Sequence, residues 1–150
     1  MPRFETSRRV RHAAVDMFDL VADVEKYPEF LPLCEGLAVR GRESRPDGKT
    51  ILVADMTVGY KVFRETFTSR VTLSPLEKLI QVEYLDGPFE HLDNRWTFID
   101  VGPEASTVGF YIDYAFRSRA LAVVMGAVFE RAVKKYTEAF EARADQIYRG

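Results

Sequence analysis

The chain has 150 residues, 47% hydrophobic, 29% charged and 13% aromatic, with a formal net charge of -2. That composition excludes intrinsic disorder and predicts one domain, able to bury roughly 70% of the surface it would expose unfolded. The near balance of 21 basic and 23 acidic residues excludes a dedicated DNA-binding protein, and the lone Cys34 excludes an internal disulfide and predicts a reducing, cytoplasmic setting.

At the start of the chain, Phe4, Thr6, Arg8 and Val10 fall on alternate positions, which predicts an edge strand. The opening twelve residues hold no apolar stretch that reads as a signal peptide, and no later run approaches the ~18 residues of a membrane span. Arg3, Arg8, Arg9 and Arg11 leave a basic cluster there, a candidate anionic contact. The spacing of Val15, Phe18, Leu20, Val21 and Val24 predicts a short amphipathic helix over 13–25, ended or bent by Tyr27 and Pro28. The apolar stretch 29–36 contains Pro32 and closes on Gly36, which suits a packed loop or a second short helix.

From about 37 to 116 the pattern is strand after strand, divided by proline and glycine clusters at 45–48, 74–77, 86–88 and 102–104. Ile80, Val82 and Tyr84 share a face, as do Leu92, Trp96 and Phe98, and Val108, Phe110, Ile112, Tyr114 and Phe116. Gln81, Glu83, Arg95, Thr97, Thr107 and Asp113 take the other face, so an antiparallel sheet with one wet side is expected. Behind Ser118, a predicted N-cap, Leu121, Met125, Phe129, Ala132, Tyr136, Phe140 and Ile147 follow a helical period. One long helix of ~45 Å would cover the dry side. The fold class is α+β: a curved antiparallel sheet of about seven strands on a long C-terminal helix, with one or two short helices after the first strand.

Large aromatics crowd the dry face: Phe67, Tyr84, Trp96, Phe98, Phe110, Tyr114 and Phe116. Such rings either fill a core or wall a concave ligand site, and on residue types alone the filled core is the stronger expectation. Gly126 in the middle of the long helix costs about 1 kcal/mol relative to alanine, which invites close approach or ligand clearance as a reason. Met125 and Phe129 beside it offer an adaptable apolar wall. Asn94 shares parity with Trp96 and Phe98 and either orients a ligand's polar head or satisfies a neighbouring backbone group.

Little in the sequence supports catalysis. His12 and His91, the only histidines, fall in separate elements without metal-ligand spacing. Cys34 reads as a buried structural thiol, and no nucleophile elbow or phosphate loop is present. Glu65 with His91 is the one visible acid/base pair, so the chain reads as a non-enzyme with no catalytic residue, metal or cofactor.

Three stretches carry a family resemblance: 27–34 (YPEFLPLC), 87–98 (GPFEHLDNRWTF) and 113–121 (DYAFRSRAL). In this order they resemble the ubiquinone-binding START-like family, which includes coenzyme Q-binding proteins and RatA-type ribosome-association toxins within the wider polyketide cyclase helix-grip superfamily. The resemblance implies a helix-grip fold around an apolar cavity that binds ubiquinone or a related isoprenoid lipid without chemistry, in support of respiratory electron transfer. On that reading Phe67, Tyr84, Trp96, Phe98 and Phe110, with Tyr114, Met125, Val128 and Phe129, are the expected walls, and Asn94 or a tyrosine hydroxyl orients the ring oxygens. Arg117 and Arg119 would meet anionic head groups during transient docking at the inner membrane surface. The rivals are a contact with the large ribosomal subunit through Arg8, Arg9, Arg11, Arg117 and Arg119, and an aromatic cyclase using the same cavity.

Overall fold

The computed structural model describes residues 3–148. The strands are β1 (Arg3–Val10), β2 (Cys34–Ser44), β3 (Thr50–Tyr60), β4 (Phe63–Ser74), β5 (Leu79–Asp86), β6 (Phe89–Gly102) and β7 (Ala105–Phe116). They form one antiparallel sheet in the order β1-β7-β6-β5-β4-β3-β2. From β2 onward each strand turns back on its predecessor, as the proline and glycine clusters require. β1 lies at the edge its alternation predicts, against β7.

Helix α1 (Ala14–Ala22) and a 3-10 segment (Val24–Glu29) follow β1. Met17, Phe18, Leu20 and Val21 bury one face of α1, and Phe18 meets Phe98 edge-on at 5.7 Å. Pro28 lies inside the 3-10 segment, where the tighter turn tolerates a missing amide hydrogen that an α-helix interior would not.

The expected single C-terminal helix is two: α2 (Arg119–Lys134) and α3 (Tyr136–Tyr148). Ser118 caps α2 by accepting from the Leu121 amide at 3.2 Å. Neither proline nor glycine marks the break at Lys135, so local sequence does not set it. The Lys135 amide instead donates to the Ala132 carbonyl at 3.0 Å, a 3-10 closure that tightens the last turn of α2 before α3 begins.

The two segments are fastened differently. The α3 side chains reach the scaffold four times: His12 Nε2 lies 2.7 Å from Asp145 Oδ1, Arg8 donates to Glu141 at 2.6 Å, Tyr148 donates to the Asp16 carbonyl at 3.0 Å, and Arg143 pairs with Glu29. Among the described residues no side-chain hydrogen bond or ion pair joins α2 to the sheet, and its Glu130 and Lys134 pair with each other. Apolar contact through Met125 and Phe129 holds it instead.

The turn between β5 and β6 shows why a glycine is needed there. Gly87 has φ +140, and a Cβ on it would lie 2.6 Å from Phe67 Cβ and 2.8 Å from Phe67 Cα. Only glycine fits that conformation at that approach. Next to it, a register shift between Phe89 and His91 flips the alternation by one residue, which brings Phe89 onto the inner face with Leu92 and Trp96. No helix among the described residues is long and apolar enough to cross a membrane.

Candidate functional site

Between the sheet and its helical cover lies a hollow of about 80 Å³. Its origin is legible in the register: Ala54 and Ser69 are direct cross-strand partners on the inner face of β3 and β4, flanked by Leu52 opposite Val71. Two adjacent small side chains leave a gap, which Val82, Asn94, Trp96 and Phe67 border on the sheet. The 3-10 segment contributes Tyr27, α2 contributes Phe129, and α3 contributes Tyr136 and Phe140. Keeping such a space unfilled costs about 2 kcal/mol at roughly 24 cal/mol per Å³. Its volume falls below the ~300–1,000 Å³ of a typical ligand site.

Four of the ten expected wall residues border the hollow: Phe67, Asn94, Trp96 and Phe129. The structure places the other six elsewhere. Tyr114 packs on Phe129 at 4.9 Å, while Tyr84 accepts at its hydroxyl from the Phe89 amide at 3.0 Å and braces the turn. Phe110 stands behind Trp96 at 4.5 Å, and Phe98 lies beneath α1 against Phe18. Met125 is buried and Val128 half-buried on α2, neither at the hollow. These rings fill the core, because their neighbours are large enough to meet them.

The polar groups sort clearly. Asn94 is already engaged at both ends: its Nδ2 donates to the Tyr111 carbonyl at 2.8 Å and its Oδ1 accepts from Trp96 Nε1 at 3.2 Å. Tyr27 donates to the Val21 carbonyl. The Tyr136 hydroxyl, by contrast, is buried without any hydrogen-bond partner, a state that costs about 1–3 kcal/mol. Burial raises the Tyr136 phenol above its ordinary value, with Cys34 and Tyr114 adding to the rise, so it stays a protonated donor. Sequence reasoning missed Tyr136, Ser69 and Ala54; the available signal was a pair of small residues at facing inward positions.

Among the described residues no carboxylate, histidine or amine borders the hollow. His91 lies on the outer face, its Nε2 3.3 Å from Asp113 Oδ1, so it cannot join Glu65 in an interior acid/base pair. Cys34 is buried, its Sγ 3.7 Å from the Gly36 carbonyl, and burial pushes its thiol up to about 11, which fits an inert structural thiol. Among the described residues no cluster of His, Cys, Asp and Glu suits a metal.

Arg117 and Arg119 are exposed at the start of α2. Arg8, Arg9 and Arg11 form no patch with them, whereas Arg3 lies at their end of β7. Arg8 pairs with Val108 and Arg9 with Thr107, so Arg8, Arg9 and Arg11 lie toward the opposite end of β7, roughly 30 Å away at about 3.3 Å per residue. Arg8 is also engaged by Glu141.

The sequence pattern of polyketide cyclase / dehydrase and lipid transport proteins matches residues 10–141. The ribosome association toxin RatA of Escherichia coli K12 is 32% identical over 148 residues, covering 99% of this chain and 90% of that protein. The mitochondrial coenzyme Q-binding protein COQ10 homolog B of Xenopus laevis is 28% identical, over 97% of this chain and 59% of that protein. Among solved structures, the Zhui aromatase/cyclase of Streptomyces sp. R1128 superposes with a TM-score of 0.81 at 20% identity, covering 97% of this chain and 94% of its own.

Proposed function

Because the chain belongs to the polyketide cyclase / dehydrase and lipid transport family, we propose that it binds and shelters an isoprenoid quinone such as ubiquinone, performing no chemistry on it. The observation that carries this reading is the apolar hollow left between the sheet and its helical cover, with no carboxylate, imidazole or amine among the described residues on its lining. The similarity to a coenzyme Q-binding protein supports it. Transfer of ring and first isoprene unit out of water contributes about 25 cal/mol per Å² buried. The hollow must widen to take such a guest. Helix α2, which brings Phe129 to the hollow, is the wall suited to move, since among the described residues no side-chain hydrogen bond or ion pair ties it to the sheet, and Gly126 has open space where a Cβ would stand. A long tail would leave past α2, where Arg117 and Arg119 would meet anionic head groups.

The test is mass spectrometry of organic extracts from the purified protein, with titration of the fluorescence of Trp96 by a short-chain ubiquinone. Co-purified prenyl quinone and saturable quenching are expected; absence of both overturns the reading.

A second reading, a contact with the large ribosomal subunit, is favoured by the similarity to the Escherichia coli ribosome association toxin across nearly the whole chain. The split distribution of arginines points to two separate contacts, one at each end of the molecule. Co-sedimentation with large subunits that weakens steeply with salt, and is reduced separately by Arg9→Ala and Arg119→Ala, is the expected result under this reading.

A further inference from the structure

We propose that the Tyr136 hydroxyl, with Ser69 on the facing wall, is the recognition group of the hollow and donates a hydrogen bond to a neutral carbonyl or ether oxygen on the ligand. This rests on the lipid-binding reading and adds to it the atoms that choose the ligand.

Tyr136 is 8% exposed, borders the hollow, and is one of two residues among those described whose polar side-chain atom is sealed from solvent without a hydrogen-bond partner. The other, Ser106, pairs with Val10 at the far side of the sheet and does not touch the hollow. Buried tyrosine hydroxyls ordinarily find a partner, so one left over on the wall of an apolar space marks where an absent group belongs. Ser69 is also buried and borders the hollow, and no hydrogen bond ties its hydroxyl to another described residue. Both residues border one apolar space, Ser69 from the sheet and Tyr136 from the cover, and the sealed Tyr136 hydroxyl would meet a guest as the space widens.

The chemical class follows. A protonated phenol supplies a donor, so the ligand must bring an acceptor. The acceptor must be uncharged, because the lining offers no cation and an isolated anion in an apolar cavity is strongly disfavoured. A flat apolar ring with oxygens on opposite edges, as in a para-quinone, meets both requirements. Asn94, the residue sequence parity suggested for this role, has its amide committed to Tyr111 and Trp96.

Position in the fold favours Tyr136 as an anchor. It is the first residue of α3, the segment fastened to β1, the β1–α1 connection, α1 and the 3-10 segment by Glu141, Asp145, Tyr148 and Arg143. The break at Lys135 separates it from α2. Helix α2 can lift to admit a ligand while the donor stays in place on a rigid element, as precise recognition requires.

The experiment is a fluorescence titration of the full chain with ubiquinone-1 and with a prenylated toluene lacking ring oxygens. Wild type should prefer the quinone. Tyr136→Phe should weaken quinone binding about tenfold, the scale of one lost hydrogen bond, and leave binding of the oxygen-free analogue within about twofold. Ser69→Ala should show the same selectivity with a smaller loss. Tyr136→Phe should melt no lower than wild type without ligand, since it removes an uncompensated hydroxyl. Quinone bound equally by wild type and Tyr136→Phe overturns the anchor while leaving the carrier reading standing. Wild type that binds neither probe overturns both. If either variant fails to fold, the wild-type ratio decides: no preference for the quinone over its oxygen-free analogue overturns the proposal.

Discussion

The interior has two ends built from similar side chains, one filled and one open. At the filled end Phe89 lies within 5.0–6.1 Å of the rings of Phe67, Tyr84, Tyr114, Phe116 and Phe129, of which Phe67 and Phe129 also border the hollow. At the open end Trp96, Phe140 and Tyr136 stand over Ala54 and Ser69. Aromatic content does not distinguish them, since both have it. The size of the facing strand residues does: where β3 and β4 present small side chains as cross-strand partners, the rings above have nothing to close on.

Removing the pivot of the filled end should have the largest effect. Phe89→Ala is expected to cost about 3–5 kcal/mol, read as a lower denaturant midpoint, because a 1% exposed ring with five aromatic neighbours leaves a void they cannot close. The inverse change at the open end should stabilise: Ala54→Leu is expected to fill the hollow, raise stability by about 1 kcal/mol, and abolish quenching of Trp96 by a short-chain quinone. Retained quenching in that variant would place the ligand elsewhere.

A smaller effect is expected from the moving wall. A Cβ added at Gly126 would meet nothing within 4 Å, so close packing does not require the glycine, and Gly126→Ala should stabilise by about 0.5–1 kcal/mol. If α2 must flex to admit a guest, the same variant should slow ligand association in stopped flow while leaving the filled end unchanged.

The smallest effect is on the outer face behind the hollow. The Thr68 hydroxyl, followed by Arg40, holds the Asp55 carboxyl below its ordinary 3.8. A depressed folded value contributes stability that is present above the unfolded value and lost as pH falls through the folded one. Asp55→Asn should therefore flatten the decline of stability below about pH 4 in acid titrations of unfolding, without altering quinone binding.

Much of the architecture was legible along the chain. Period-two alternation and proline and glycine clusters placed the strands, Ser118 marked the start of α2, and the three motif stretches carried the family, met again in the match over residues 10–141. Those features are local, since a strand's alternation and a cap's hydroxyl act within a few residues. Phe89 shows where locality ends: its parity set it apart from Trp96, and only the bulge at Glu90 returned it to the core.

Fold class and the identity of the dry faces are written in the order of residues, because alternation and helical spacing reduce to which side chains avoid water. Where the dry interior stays empty, which helix segment is fastened, and which hydroxyl is left without a partner are matters of packing. Each of these is a relation between residues far apart in the chain: Ala54 must face Ser69 beneath Tyr136, and Arg8 must reach Glu141. No local window of sequence joins Ala54 and Ser69 to Tyr136, or Arg8 to Glu141, so volume and hydrogen-bond satisfaction are settled only when the elements come together.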